Sequence, residues 1–216
     1  MKLHKFSKLA GFLSVAIIGS SLLTLGCSKD LELEQCKVNY SKYNYSEAFK
    51  FCSVAAEQGH AEAQFNLGVM YDNGQGVKQD YFKAVEWYQK AAEQGDASAQ
   101  CNLGYMYENG QGVKQDYIKA VEWYQRAAEQ GVADAQYNLG NMYYNGQGVK
   151  QDYFKAVEWF QKAAEQGEAS AQYNLGNMYA DGKGVKQDYS KAKEYFGLAC
   201  DNKDQDGCDM YKKLNQ

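Results

Sequence analysis

At 216 residues, with 27 acidic against 23 basic side chains and a formal charge of −4, the chain is long enough for one or two folded units but carries no positive excess. That balance argues against a nucleic-acid partner, whose capture rests on basic contacts to phosphate. His4 and His60 are the only histidines, no C-x2-C pair occurs among the six cysteines, and proline is absent, so no metal site and no cofactor are expected and glycine carries the punctuation.

Residues 1–26 read as a signal peptide. Lys2, Lys5 and Lys8 form a basic start, Leu9 to Leu25 is uncharged and mostly apolar, and Gly26 precedes Cys27 as a small-residue cleavage site. Thr24-Leu25-Gly26-Cys27 resembles a bacterial lipobox, with Thr24 where leucine is usual. The resemblance implies a lipid on Cys27. Ser28 rather than aspartate after it implies an outer-membrane lipoprotein facing the periplasm. Ordinary cleavage with release to the periplasm or medium remains open. So does an uncleaved anchor, since the run is about long enough to span, although its Gly, Ser and Thr residues weigh against that. Loss of the three lysines takes the charge from −4 to about −7.

Residues 27–59 read as a first, shortened helical hairpin. Cys36 and Cys52 are equidistant from its turn at Ser41 to Asn44, and such positions face each other in an antiparallel helix pair. A disulfide is geometrically reasonable there, with buried free thiols as the alternative.

From residue 60 to 203 the chain repeats itself four times. Gly59, Gly95, Gly131 and Gly167 recur every 36 residues, and Asp96 to Gly131 represents the unit. Asp96 to Asn109 and Asp116 to Gln130 read as two helices. The second places Tyr117, Ala120, Val121, Tyr124, Ala127 and Ala128 at the spacing of one apolar face. Asp116 can cap that helix by accepting from free first-turn N–H groups, while Gly110 and Gly112 break the chain between the two.

The pattern A-x-A-Q-x-N-L-G-x-M-Y, followed by G-x-G-V-K-Q-D, occurs in four consecutive copies. It resembles the Sel-one-like repeat, a longer-looped relative of the tetratricopeptide repeat, over roughly residues 45 to 211. The resemblance implies an all-α fold, a right-handed α-solenoid of stacked helix-turn-helix repeats with a 36-residue period, whose concave side binds a protein or peptide.

Beyond it, residues 204–216 are expected to form a C-terminal capping helix. Cys200 and Cys208 are symmetric about Asp204, where the last repeat turns into that helix, and their C-x7-C spacing resembles the bacterial cysteine-rich Hcp proteins, a secreted branch of the same family. Bridges at Cys36–Cys52 and Cys200–Cys208 would staple terminal units that have one neighbour each, and an oxidising compartment would preserve them.

Four near-copies allow an internal comparison of the first helix. The positions that change between copies fall within one sector of about 80°. Placed on the tetratricopeptide motif, that sector and the asparagines beside it line the groove. The candidate peptide-binding residues are Glu62, Phe65, Asn66, Val69 and Asp72 in the first unit, and Ser98, Cys101, Asn102, Tyr105 and Glu108 in the second. The third contributes Asp134, Tyr137, Asn138, Asn141 and Tyr144, and the fourth Tyr173, Asn174 and Asn177. Tyrosine with asparagine combines rigid contact area with adaptable hydrogen bonding. A solvated, freely drifting face is the plain alternative. On the groove reading Cys101 is a lone thiol in the groove rather than in the core.

Other patterns carry less. The G-x-G-V-K loops follow a helix, not a strand, so nucleotide binding is not indicated. Trp87, Trp123 and Trp159 read as packing residues. Lys78, Lys114, Lys150 and Lys186 read as a solvated edge, with docking to an acidic surface as the alternative. Some Hcp-type proteins are described as penicillin-binding or weakly β-lactam-hydrolysing, and Ser190-Lys191-Ala192-Lys193 fits S-x-x-K. Neither S-D-N nor K-T-G accompanies it, so no catalytic residue is assigned. The sequence therefore points to an exported repeat scaffold, a cell-envelope adaptor or virulence-type factor. A β-lactamase-like or penicillin-binding protein and a secreted host-interacting factor stand as alternatives.

Overall fold

A computed structural model describes residues 31–215, so the expected signal peptide and Cys27 lie outside the described residues. Among the described residues there are eleven helices and no strand. A helix described over 31–41 (α1) precedes α2 (Tyr45–Glu57), α3 (Ala61–Asn73), α4 (Tyr81–Glu93), α5 (Ala97–Asn109) and α6 (Tyr117–Glu129). Then come α7 (Ala133–Asn145), α8 (Tyr153–Glu165), α9 (Ala169–Asp181), α10 (Tyr189–Asp201) and α11 (Gln205–Lys213). Each helix packs chiefly on its neighbours in the chain, which makes the molecule an α-solenoid. Each repeat is a first helix (α3, α5, α7, α9) followed by a second (α4, α6, α8, α10).

The start of each second helix is fixed by aspartate. Asp116 Oδ1 accepts from the backbone N–H of Ile118 and Lys119, both at 3.1 Å; Asp152 and Asp188 cap α8 and α10 in the same way, and Asp80 caps α4 through the Lys83 N–H. The first helix of each unit ends on a left-handed glycine, Gly110 at φ 69° in the second unit. Its companion Gly112, also at positive φ, lies against the carbonyl of Tyr81 in the preceding unit, where a Cβ would strike backbone. The two glycines thus have separate tasks: one turns the chain and the other lets the turn dock on the neighbouring repeat.

Packing inside a unit rests on small residues facing rings. Gly104 faces Tyr124 so closely that a Cβ would sit 2.7 Å from ring carbon Cδ1, and Gly68, Gly140 and Gly176 meet Tyr88, Phe160 and Phe196 likewise. Leu103, Met106 and the alanines around them are fully buried. Such density leaves no room for volume changes.

Between units an apolar seam, such as Ala84, Tyr88 and Ala91 of α4 against Ala99, Leu103 and Met106 of α5, is joined by a polar contact that repeats through the stack. Buried Gln100 donates from Nε2 to the Ala92 carbonyl at 3.1 Å, and its Oε1 accepts from Gln130 Nε2 at 2.8 Å. It thereby joins the end of α4, the start of α5 and the end of α6. Gln64, Gln136 and Gln172 do the same, the last accepting from Asn202.

Both terminal bridges are present. Cys36 of α1 joins Cys52 of α2 and Cys200 of α10 joins Cys208 of α11, with Cα atoms 4.7 and 4.4 Å apart. No helix among the described residues is long and apolar enough to cross a membrane.

Gln100→Leu removes a donor and an acceptor, leaving the Ala92 carbonyl with the Gly95 N–H as its one remaining partner and the Gln130 amide without its acceptor. A loss of about 1–3 kcal/mol is expected. Urea unfolding would measure it, and an unchanged midpoint would show that the relay contributes nothing.

Candidate functional site

The sector that varies between copies lies on the first helices, and the structure divides its residues by depth. Glu62, Ser98 and Asp134 are exposed at the start of their helices, and Tyr105, two turns further along α5, is 48 % exposed. Asn66, Asn102, Asn138 and Asn174 are half-buried between units, and Asn174 Nδ2 lies 3.4 Å from Asn141 Oδ1 of the preceding repeat.

Phe65, Tyr137 and Tyr173 are half-buried too. Their ring centroids lie 6.1, 5.9 and 5.7 Å from those of Tyr88, Phe160 and Phe196, so one side of each packs on the second helix. Val69 packs on the α4–α5 core. These four are as much wall as lining.

Cys101 corrects the sequence reading. At the position of those aromatics it is only 8 % exposed and sits in the core with Ala120, Val121 and Tyr124. Cysteine is too short to reach past the neighbouring side chains, so it fills the wall instead of lining the groove. Burial, with a smaller effect from the Asp134 charge, pushes its thiol up to about 12. The thiol is therefore protonated and a poor nucleophile at neutral pH.

The fifth position of the sector carries the most chemistry. Tyr88 O–H donates to Asp72 Oδ2 at 3.2 Å, and Tyr124 O–H donates to Glu108 Oε2 at 2.6 Å. In the last two units the carboxylate is replaced by Tyr144 or Ala180, and the ring beneath is Phe160 or Phe196. A hydroxyl is present only where an acceptor exists to take it. Burial holds the Asp72 carboxyl above its ordinary range, with the Tyr88 hydrogen bond opposing. Burial, reinforced by the adjoining carboxylates, raises both phenols as well.

The face therefore has two halves. The first holds carboxylates at Asp72 and Glu108. The second holds amides: Asn141, Asn145, Asn174 and Asn177, with the Tyr144 phenol, line one cleft of about 190 Å³ between α7 and α9. A cation closes each end. Lys37 Nζ lies 2.6 Å from Glu62 Oε2, and Lys183 Nζ lies 3.1 Å from both Tyr144 Oη and Asp181 Oδ2. Sequence reading missed the Tyr–carboxylate pairs and both lysines. The pairs were visible as co-variation among the copies, because Tyr88, Tyr124, Phe160 and Phe196 change in step with Asp72, Glu108, Tyr144 and Ala180.

Among the described residues no group of three or more His, Cys, Asp or Glu could hold a metal ion. The S-x-x-K match places Ser190 on the exposed first turn of α10, while Lys193 directs its ammonium over the Tyr211 ring, 5.7 Å from the centroid.

The Sel1 repeat matches residues 39–60, 61–96, 97–132, 133–168 and 169–204. The chain belongs to the Sel1-repeat family. Among solved structures it is similar to c5321, described as a protective antigen present in uropathogenic Escherichia coli strains, with 37% identity and a TM-score of 0.80 over 88% of this chain and 42% of that one. This Sel1-repeat chain thus spans less than half the length of that antigen. A Sel1 repeat protein from Oxalobacter formigenes is 37% identical, with a TM-score of 0.78 over 83% of this chain and 74% of the other. Cysteine-rich protein B of Helicobacter pylori is 28% identical, with a TM-score of 0.50 over 61% of this chain and 95% of the other. No curated protein gives a significant match.

Two measurements check this geometry. Tyr124→Phe strands Glu108 and Phe160→Tyr introduces a hydroxyl with no carboxylate beside it, so each should lower unfolding free energy by about 1–3 kcal/mol. A stable double variant of the second unit, Tyr124→Phe with Glu108→Ala, would support the coupling, whereas equal losses in single and double variants would refute it. Separately, mass mapping after brief alkylation should find Cys101 unmodified in the native protein and modified in urea. Rapid native labelling would return it to the groove.

Proposed function

We propose that this Sel1-repeat protein is an exported, non-catalytic scaffold that binds an extended protein segment along the face of its first helices. The observation that carries this reading is the contrast between copies: most packing positions repeat unchanged, while the sector that supplies Asn141, Tyr144 and Asn177 to the cleft differs from unit to unit. Each asparagine amide there offers a donor and an acceptor with no net charge, which suits the peptide group. Tyr105 supplies an exposed aromatic anchor.

Export is supported by the two disulfides, which persist in oxidising compartments. The basic, then apolar, start and Cys27 favour a lipid-anchored protein of the outer membrane facing the periplasm. A host-facing role is the second reading, favoured by the likeness to an Escherichia coli protein described as a protective antigen. The exposed Ser190 and its separate Lys193 give the β-lactamase-like alternative no support.

The test is selection of peptides from a displayed random library against the immobilised protein. Tyr105→Ala combined with Asn141→Ala and Asn177→Ala should weaken the selected peptides by about a hundredfold, with helical content unchanged. Peptides that bind the variant as tightly as the native chain would remove the groove from the proposal.

A further inference from the structure

The edge of the solenoid where the G-x-G-V-K loops lie carries side chains that neither the core nor the groove uses. At the second residue of α4, α6 and α8 stand Phe82, Ile118 and Phe154, exposed by 73 %, 62 % and 73 %. Residues this apolar and this exposed, at the same place in three successive units, contribute little to folding and mark a surface that meets something else. The corresponding residue of α10 is Ser190, so the fold does not require an apolar group there.

Lysines alternate with them. Lys83, Lys119 and Lys155 follow each apolar residue directly. Lys78, Lys114 and Lys150 come from the loops. Ile118 shares a shallow cleft of about 540 Å³ with Val149 and Lys150 of the next unit, and Lys150 also flanks a second cleft with Tyr143 and Lys155. The Lys83, Lys119 and Lys155 ammonium groups are held over Tyr71, Tyr107 and Tyr143, 5.1, 5.1 and 5.0 Å from the ring centroids. The acids at this edge, Asp80, Asp116 and Asp152, are turned into helix N-termini as caps, where the helix dipole offsets their charge. Glu86, Glu122 and Glu158 lie one turn further along their helices.

We infer that this edge is a membrane-docking surface that presses Phe82, Ile118 and Phe154 into a bilayer bearing anionic headgroups. Three features select lipid over a folded protein. The apolar groups carry no hydrogen-bonding atom. The interleaved lysines complement a negative surface, adding attraction for each cation near it. The pattern also repeats from unit to unit with almost no change, in contrast to the varied groove, so it encodes no sequence to read and matches a partner that is uniform along its length. Docking by this edge would lay the solenoid along the membrane.

The test uses the full chain with excess vesicles of phosphatidylcholine, alone or with one-third phosphatidylglycerol, followed by brief acetylation and peptide mapping. The native chain and its triple serine variant carry the same N-terminal segment, so comparison of the two on anionic vesicles separates docking by this edge from tethering by that segment. On anionic vesicles Lys78, Lys83, Lys114, Lys119, Lys150 and Lys155 should react about fivefold more slowly, while Lys203 at the opposite edge is unchanged. Phe82→Ser with Ile118→Ser and Phe154→Ser should abolish the protection and leave the circular dichroism intact. Equal rates on the two vesicles would overturn the proposal. So would protection without lipid that grows with protein concentration, since that would assign the edge to a second copy. Neither result bears on the groove, which these variants leave untouched.

Discussion

A solenoid has no central core, so each unit depends on its contact with the next, and here the apolar seam between neighbours is registered by one buried polar side chain. Gln100 ties the last turn of α4 to α5 and to the end of α6, and three other glutamines repeat the arrangement. An apolar residue could fill the volume but could neither add a second donor to the helix-end carbonyl, which the turn glycine already bonds, nor accept from the amide of the next unit. The amide also fixes direction, because its donor reaches backward and its acceptor forward. Close approach of glycine to ring within each unit, and of loop glycine to the preceding backbone, then allows the units to stack at the spacing that the amide requires.

With packing settled by these invariant positions, the remaining surfaces have diverged in different ways. The face of the first helices varies strongly and passes from carboxylates at Asp72 and Glu108 to amides around Asn141 and Asn177. The edge bearing the loops hardly varies. On the proposed reading, one surface would read a partner in detail and the other would offer the same contact repeatedly. The terminal disulfides act where the relay stops, at hairpins that have a neighbour on one side only.

Much of this was legible in the chain itself. The 36-residue period, the aspartate caps and the punctuating glycines follow from local backbone chemistry, and the two disulfides followed from residues equidistant from a turn. The depth of the variable sector was not legible. Angular position around α5 places Cys101 beside Tyr105, yet one is buried and the other exposed, because the second helix covers part of the sector and side-chain length decides what emerges. Phe65, Tyr137 and Tyr173 share that ambiguity. Lys37 closes one end from outside the four copies, where comparison could not reveal it, whereas Lys183 replaces Gln75, Gln111 and Gln147 in the loop and was visible as a difference, but its reach to Tyr144 of the preceding unit was not.

The docking of Gly112 on Tyr81, repeated by Gly148 on Tyr117 and Gly184 on Tyr153, has a genetic consequence. Every junction between units is made of the same atoms in the same arrangement, so unequal recombination within the recurring V-K-Q-D segments would add or delete 36 residues and rejoin compatible helices. The length of the variable face can therefore change by copy number, in steps that leave both stapled ends in place.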